Sequence, residues 1–356
     1  MKAQAMTAFG EPLSPMDLTP KKPGVGEALV RVTRAGLCHS DLHIHDGYFD
    51  FGDVRQPVAI NMPPVLGHEI EGEVAELGEG ASGPAVGTRV AVYPWLGCNA
   101  CDTCRAGDQH LCIALPRRAL GVAQWGGMAE YVHVPFANAM IEIGDLTPGL
   151  GALAMCSGLT AYSALKKIGT PPPEQPILLL GMGGVGLMAM ALAKSVLPNP
   201  IIAADIDATK RDAALKYGAV EAIEPNADAW KAAAARHGAA AATIDFVGAP
   251  ATFSFGTAAV RRGGKYIIVG LFGGKASLPL ASLPLKPYSI IGSYVGRLDE
   301  ARELITLLRN GAAQILERRD EHLRHVGEEL HRRLPIGAFA LLEDAGEVLD
   351  MRFQLL

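Results

Sequence analysis

Six cysteines divide into one tight cluster and two distant singles, and that division constrains the fold more than any other feature of the chain. Cys98, Cys101, Cys104 and Cys112 follow the spacing C-x2-C-x2-C-x7-C. Four thiolates in one short loop suit a closed tetrahedral zinc shell, which is a structural site. Cys38 and Cys156 stand far away on either side, with Gly67-His68-Glu69 between them. Cys38, His68 and Cys156 offer three protein ligands and leave a fourth position open, as a catalytic zinc requires.

At 356 residues the chain exceeds one ordinary domain, and two are expected. Hydrophobic residues at 49% against 19% charged fit a compact enzyme rather than a disordered chain. A net charge of -5, with no gathering of Lys and Arg, gives no basic field for a nucleic-acid backbone, so nucleic acid is not an expected partner. The longest apolar run, residues 177–196, contains the glycines of a turn. It reads as strand, turn and helix rather than a membrane span. Met1-Lys2-Ala3-Gln4-Ala5-Met6 lacks the charged-then-apolar pattern of an export signal. The expectation is a reducing, cytoplasmic location, where cysteines are better read as metal ligands than as disulfides.

The first third carries short β-like runs broken by Gly and Pro, such as Ala28-Leu29-Val30-Arg31-Val32, Thr88-Arg89-Val90-Ala91-Val92 and residues 128–134. That spacing predicts an antiparallel, barrel-like domain. Near residue 155 the pattern changes: an amphipathic stretch over 158–167 leads through Pro171-Pro172-Pro173 to the buried-strand run Ile177-Leu178-Leu179-Leu180. Further apolar strands at 201–204, 243–247, 265–269 and 289–293 alternate with helical stretches such as 208–217. This α/β alternation predicts a parallel sheet covered on both faces. The Ala-rich residues 227–242 read as helix.

Gly181-Met182-Gly183-Gly184-Val185-Gly186 is G-x-G-x-x-G placed directly after a strand and opening a helix. Its glycines admit a pyrophosphate at the helix N-terminus. Asp205 ends the next strand, where a carboxylate accepts from ribose hydroxyls and repels a 2′-phosphate, so NAD is favoured over NADP. Lys210, a turn later, is a candidate for the same ribose.

Together these residues resemble the zinc-dependent alcohol dehydrogenases of the medium-chain dehydrogenase/reductase family, from residue 25 to residue 310. The resemblance rests on Gly36-Leu37-Cys38-His39-Ser40-Asp41 and on Gly67-His68-Glu69-Ile70-Glu71-Gly72-Glu73-Val74. The four-cysteine lobe, Cys156-Ser157-Gly158-Leu159-Thr160 and the nucleotide loop follow in family order. Pro94-Trp95, Val269-Gly270-Leu271-Phe272-Gly273 and Gly292-Ser293-Tyr294-Val295-Gly296 look most like the bacterial and archaeal tetrameric branch. The implied fold is a GroES-like β-rich catalytic domain, residues 1–156 and 295–356, carrying the zinc lobe at 94–113. A Rossmann doubly wound coenzyme domain at 157–294 is inserted in it.

The resemblance also implies roles. Cys38, His68 and Cys156 are the catalytic zinc ligands, Glu69 an alternate ligand, and Asp41 the acid that orients the histidine. Ser40 touches the substrate oxygen and His43 ends a proton relay. His39 contacts the pyrophosphate, Thr160 and Val185 flank the nicotinamide, and Val269 also lies against the coenzyme. Tyr48, Trp95 and Phe272 wall the substrate pocket. The implied activity is reversible oxidation of primary or secondary alcohols with hydride transfer to NAD+, by a homo-oligomer, a tetramer favoured over a dimer, with two zinc ions per subunit. The alternatives are a zinc-dependent polyol or sugar dehydrogenase, which commonly has glutamate where Cys156 stands, and a non-catalytic zinc protein. The tail departs from the family pattern: residues 317–333 are dense in Arg, His and Glu. It is read as a solvated helix, a divergent ending or a shifted frame. His322, His325 and His331 there read as an exposed charged face. Met351-Arg352-Phe353 resembles the closing strand, and Arg352 is the candidate pyrophosphate contact.

Overall fold

The computed structural model describes residues 1–58, 60 and 64–312. Strand β1 (Lys2–Ala5) pairs with β2 (Ser14–Asp17), and β3 (Ala28–Gly36) leads into helix α1 (His39–Asp46). A hairpin of β4 (Tyr48–Asp50) and β5 (Arg55–Pro57) follows. Then come β6 (Glu69–Leu77), β7 (Arg89–Val92), the short helix α2 (Asp102–Arg105), β8 (Tyr131–Val134) and β9 (Met140–Glu142). Five of these strands form one antiparallel sheet in the order β8-β3-β6-β7-β9. Alternation drives it: Ala28, Val30 and Val32 of β3 are buried, while Leu29, Arg31 and Thr33 between them are only half-buried. Gly36 faces Glu69 across the β3–β6 ladder, and a Cβ there would come within 1.9 Å of Glu69 Oε2. Glycine at that position gives the glutamate its room.

A continuous helical rod comes next: α3 (Leu150–Leu153), one π turn (Ala154–Gly158) and α4 (Leu159–Ile168). The second sheet is built from β10 (Ile177–Leu180), α5 (Gly184–Val196), β11 (Ile201–Ala204), α6 (Ala208–Lys216), β12 (Glu221–Ile223), α7 (Ala227–His237) and β13 (Ala240–Asp245). Helix α8 (Pro250–Ala259), β14 (Val260–Ile268), α9 (Ser282–Leu285) and β15 (Ser289–Gly292) complete it, and α10 (Leu298–Arg309) returns to pack on α4 and the π turn. All its strands are parallel, in the order β12-β11-β10-β13-β14-β15. Successive residues of β10 and β11 enter two different cores. Ile177, Leu179, Ile201 and Ala203 share one core with α4 and α5, while Leu178, Leu180, Ile202 and Ala204 pack with Trp230 of α7 and Phe255 of α8. Both faces are therefore covered, as continuous apolar strands require. The fold is α/β, a GroES-like β-rich part joined to a Rossmann sheet.

The helix expected over 227–242 is shorter than its alanines suggest. Gly238, at φ 88°, stops α7 after His237, and Ala240 begins a fully buried strand between β10 and β14. Tertiary burial overrides helix propensity there. Among the described residues no helix is long and apolar enough to cross a membrane. The charged tail, including His322, His325, His331 and Arg352, lies outside the described residues.

Candidate active site

Three separate elements deliver the predicted ligands to one point. Cys38 caps the N-terminus of α1, His68 directly precedes β6, Glu69 opens it, and Cys156 sits in the π turn. One ligand atom from each lies within 4.8 Å of all the others. Cys38 Sγ and Cys156 Sγ are 3.9 Å apart, and His68 Nε2 is 3.2 Å from Cys156 Sγ. Two thiolates each about 2.3 Å from a tetrahedral zinc would stand about 3.8 Å apart, so the spacing fits that ion. The other imidazole nitrogen, His68 Nδ1, is 3.3 Å from Asp41 Oδ1. Asp41 is fully buried, and it also accepts from Cys38 N at 2.9 Å and from Gly67 N at 3.2 Å. One carboxylate thus caps α1, holds the loop before β6 and orients the histidine.

The electrostatics call for a cation. The Cys156 thiol beside Cys38 holds the Cys38 thiol well below its ordinary range, while the same contact, with burial, pushes Cys156 well above it. Burial works against the imidazolium of His68, yet Asp41 and Cys38 hold its pKa well above the usual histidine value. Burial, followed by the charge of Cys38, pushes the Glu69 carboxyl up to about 8. Glu69 Oε2 is buried without a hydrogen-bond partner. A divalent ion would satisfy both the crowded buried sulfurs and the orphaned carboxyl oxygen.

In the second cluster Cys98 and Cys104 are 3.9 Å apart at sulfur, as are Cys101 and Cys112. Asn99 adopts φ 57°, and the N–H groups of Ala100 and Cys101 point at Cys98 Sγ, lowering that thiol to about 6. All four sulfurs lie within 4.8 Å of one another. Arg297, just before α10, clasps this lobe by donating to Asp108 Oδ1 at 3.1 Å and to Ala106 O at 3.0 Å.

The glycine loop leaves β10 where the strand order reverses. Gly181 has φ 86°, and a Cβ on Gly186 would come within 1.9 Å of Gly181 O, so the helix can approach the strand only without side chains. A Cβ on Gly183 would meet nothing within 4 Å, which leaves the loop open to a phosphate at the start of α5. Asp205 is buried and accepts from Met182 N at 2.7 Å and Asp207 N at 2.9 Å. A carboxylate has about four acceptor positions, so capacity remains for a ribose.

Comparison with known proteins agrees with this geometry. Residues 24–145 match the alcohol dehydrogenase GroES-like domain and residues 184–310 the zinc-binding dehydrogenase domain. A NAD-dependent alcohol dehydrogenase of Sulfurisphaera tokodaii is 31% identical over 335 residues, 93% of this chain and 95% of the relative. The chain belongs to the zinc-type alcohol dehydrogenases. Among solved structures of this family's fold, the alcohol dehydrogenase of Aeropyrum pernix superposes with a TM-score of 0.77 at 30% identity, covering 88% of this chain and 90% of that one. The D-arabinose dehydrogenase of Sulfolobus solfataricus also gives 0.77, at 25% identity, over 88% and 95% of the two chains.

Within this alcohol dehydrogenase fold the remaining predicted residues separate into two groups. Ser40 and His43 lie half-buried, three positions apart on α1, and His43 stacks 5.2 Å from Phe49. Trp95 is brought to the cluster: its ring is 5.2 Å from that of His68, and its indole N–H donates to Met155 O at 2.9 Å. Thr160 is buried at the start of α4, and Val185 half-buried at the start of α5. Val269 N donates to Asp245 O at the end of β14, Lys210 lies on α6, and His39 is exposed on α1. Tyr48 instead lies under the Arg55 guanidinium, 4.4 Å from its ring, and Phe272 is 76% exposed. Tyr294 was not expected at the site, but its ring meets Trp95 edge-on at 5.7 Å. Glu71 was not expected there either: alternation puts it on the same strand face as Glu69, but its partners Gly149 and Gly151 come near only in the folded chain.

Proposed function

We propose that the protein is a zinc-dependent, NAD-linked alcohol dehydrogenase that interconverts primary or secondary alcohols with aldehydes or ketones. The observation that carries this reading is the meeting of Cys38, His68, Glu69 and Cys156 within 4.8 Å. These side chains would hold the catalytic ion, and the four-cysteine lobe would hold a second, giving two per subunit. When bound, zinc supplies Lewis acidity at the substrate oxygen and NAD supplies the hydride acceptor. The two thiolates balance the charge of a dication. Ser40 accepts the hydroxyl proton and His43 passes it towards solvent, both fixed by α1, whose N-terminus Asp41 caps. Gly183 admits the pyrophosphate, Gly186 lets α5 close on the strand, and Asp205 binds the ribose and disfavours a 2′-phosphate. Trp95 covers the histidine and keeps water from the reacting atoms.

A cytoplasmic homo-oligomer, tetramer favoured, completes the reading. Among the described residues β15 ends the parallel sheet, with Ile290 41% exposed, and Leu280 and Leu285 are exposed at 78% and 70%. An edge strand and exposed apolar side chains among the described residues favour pairing with another copy. The likeness to a D-arabinose dehydrogenase keeps a polyol substrate as the second reading. The deciding experiment measures zinc per chain in active protein and NADH formation with primary alcohols, secondary alcohols and sugars. Two zinc ions, with turnover of simple alcohols and preference for NAD over NADP, are expected. Turnover of sugars alone selects the second reading, and active protein free of divalent metal refutes both.

A further inference from the structure

We propose that Glu71 is a positioning residue that fixes the Cys156 segment against His68 and thereby preforms the three-ligand pocket. Glu69, Glu71 and Glu73 share one face of β6. The first turns into the ligand cluster, and the third pairs with Arg31 at 2.8 Å where both are half-buried. Glu71 between them is fully buried. A buried carboxylate is costly unless it is paired and hydrogen-bonded, and an apolar residue would usually serve a core as well.

The partners of Glu71 say what it holds. Oε2 accepts from Gly149 N at 2.9 Å and Gly151 N at 3.2 Å, the first amides of the rod that carries Cys156. Oε1 accepts from Arg89 Nη2 at 3.0 Å, with Arg34 3.9 Å away. Arg89 in turn donates to Gly144 O at 2.8 Å and Leu146 O at 3.2 Å, securing the connection that enters the rod. A Cβ on Gly151 would stand 3.0 Å from Glu71 Oε2, so the helix start is seated closely on the carboxylate. Charge-assisted bonds from one strand therefore fix the start of the rod. That strand begins directly after His68, and the rod delivers Cys156 Sγ to within 3.2 Å of His68 Nε2. Sliding the rod by a single residue, about 1.5 Å, would break that approach.

The role rests on the reading of this pocket as a metal site, and the test separates the two. Full-length protein loaded with cobalt is challenged with the chelator pyridylazoresorcinol, and release is followed together with the thiolate-to-cobalt absorption band. Glu71→Ala is expected to release the pocket ion about tenfold faster or more, the scale on which partners of metal ligands act, while release from the lobe is unchanged. Glu71→Gln keeps one acceptor oxygen and falls between. A lowered melting temperature with unchanged pocket release makes Glu71 merely structural and overturns the proposal. If Glu71→Ala does not fold, Glu71→Gln decides alone, and a wild-type release rate in it is the overturning result. Wild-type protein that holds no ion in the pocket removes the metal reading and the positioning role together, whereas a loaded wild type with indifferent variants removes the positioning role only.

Discussion

The lobe gathers its thiolates from a stretch whose outermost members are 14 positions apart, whereas the two thiolates of the pocket are 118 positions apart. Closing the longer loop costs about 2 kcal/mol more in chain entropy, small beside the packing that must also form. The larger difference is in what holds the ligands. Backbone amides within the lobe point at its own sulfur, so its geometry is local. The pocket depends on α1, β6 and the π turn each being in place, with Asp41 spanning the first two. A site built by the whole fold can leave one side free for a substrate, while a site built by one loop closes on its ion.

The sharpest way to break this contrast is to remove a pocket ligand. His68→Ala or Cys38→Ser should lower turnover by about a thousandfold or more, since Lewis acidity at the substrate oxygen is lost. NADH binding, measured by fluorescence titration, should remain, and so should the lobe's ion, leaving half the metal. Wild-type activity in either variant would show that the pocket is not the catalytic centre.

Damage to the lobe should have the opposite profile. Cys101→Ser weakens coordination that is coupled to folding, and the melting temperature should fall by about 4 °C or more, at roughly 2–4 °C per kcal/mol for a domain of this size. Arg297 joins the lobe to α10, so hydrogen exchange should rise at residues 298–309 as well as in the lobe. Turnover per folded molecule should change far less than in the pocket variants. An unchanged melting temperature would mean that the lobe carries no structural ion.

The same contrast explains what was legible in the sequence. The lobe and the glycine loop were legible because their chemistry depends on spacings of a few residues, which local geometry preserves. The place of Asp205 beside the loop was legible for a related reason: one βα unit fixes its distance from the glycines. Glu71 and Tyr294 were not, because their meaning lies in Gly149 and Gly151 or in Trp95, partners that only the folded chain brings near. Phe272, assigned to the pocket by likeness, is mostly exposed in the folded chain, a property its sequence neighbours do not reveal. The early start of β13 escaped notice because alanine favours helix in isolation and its burial is decided by neighbouring strands.

The mildest expected effect lies where the two regions adjoin. Trp95 precedes Cys98 of the lobe by three positions, yet its indole N–H is bonded to Met155 O, next to Cys156, and its ring lies against His68. Its bulk is therefore set over the pocket by an anchor within the pocket's own π turn. Trp95→Leu should leave both ions bound and lower the melting temperature modestly, through the lost hydrogen bond and packing. Rates for bulky secondary alcohols relative to ethanol should rise by roughly tenfold, the scale of one or two methylenes of steric room in an apolar pocket. Unchanged relative rates would show that Trp95 is a core residue of the lobe's approach and not a wall of the substrate site.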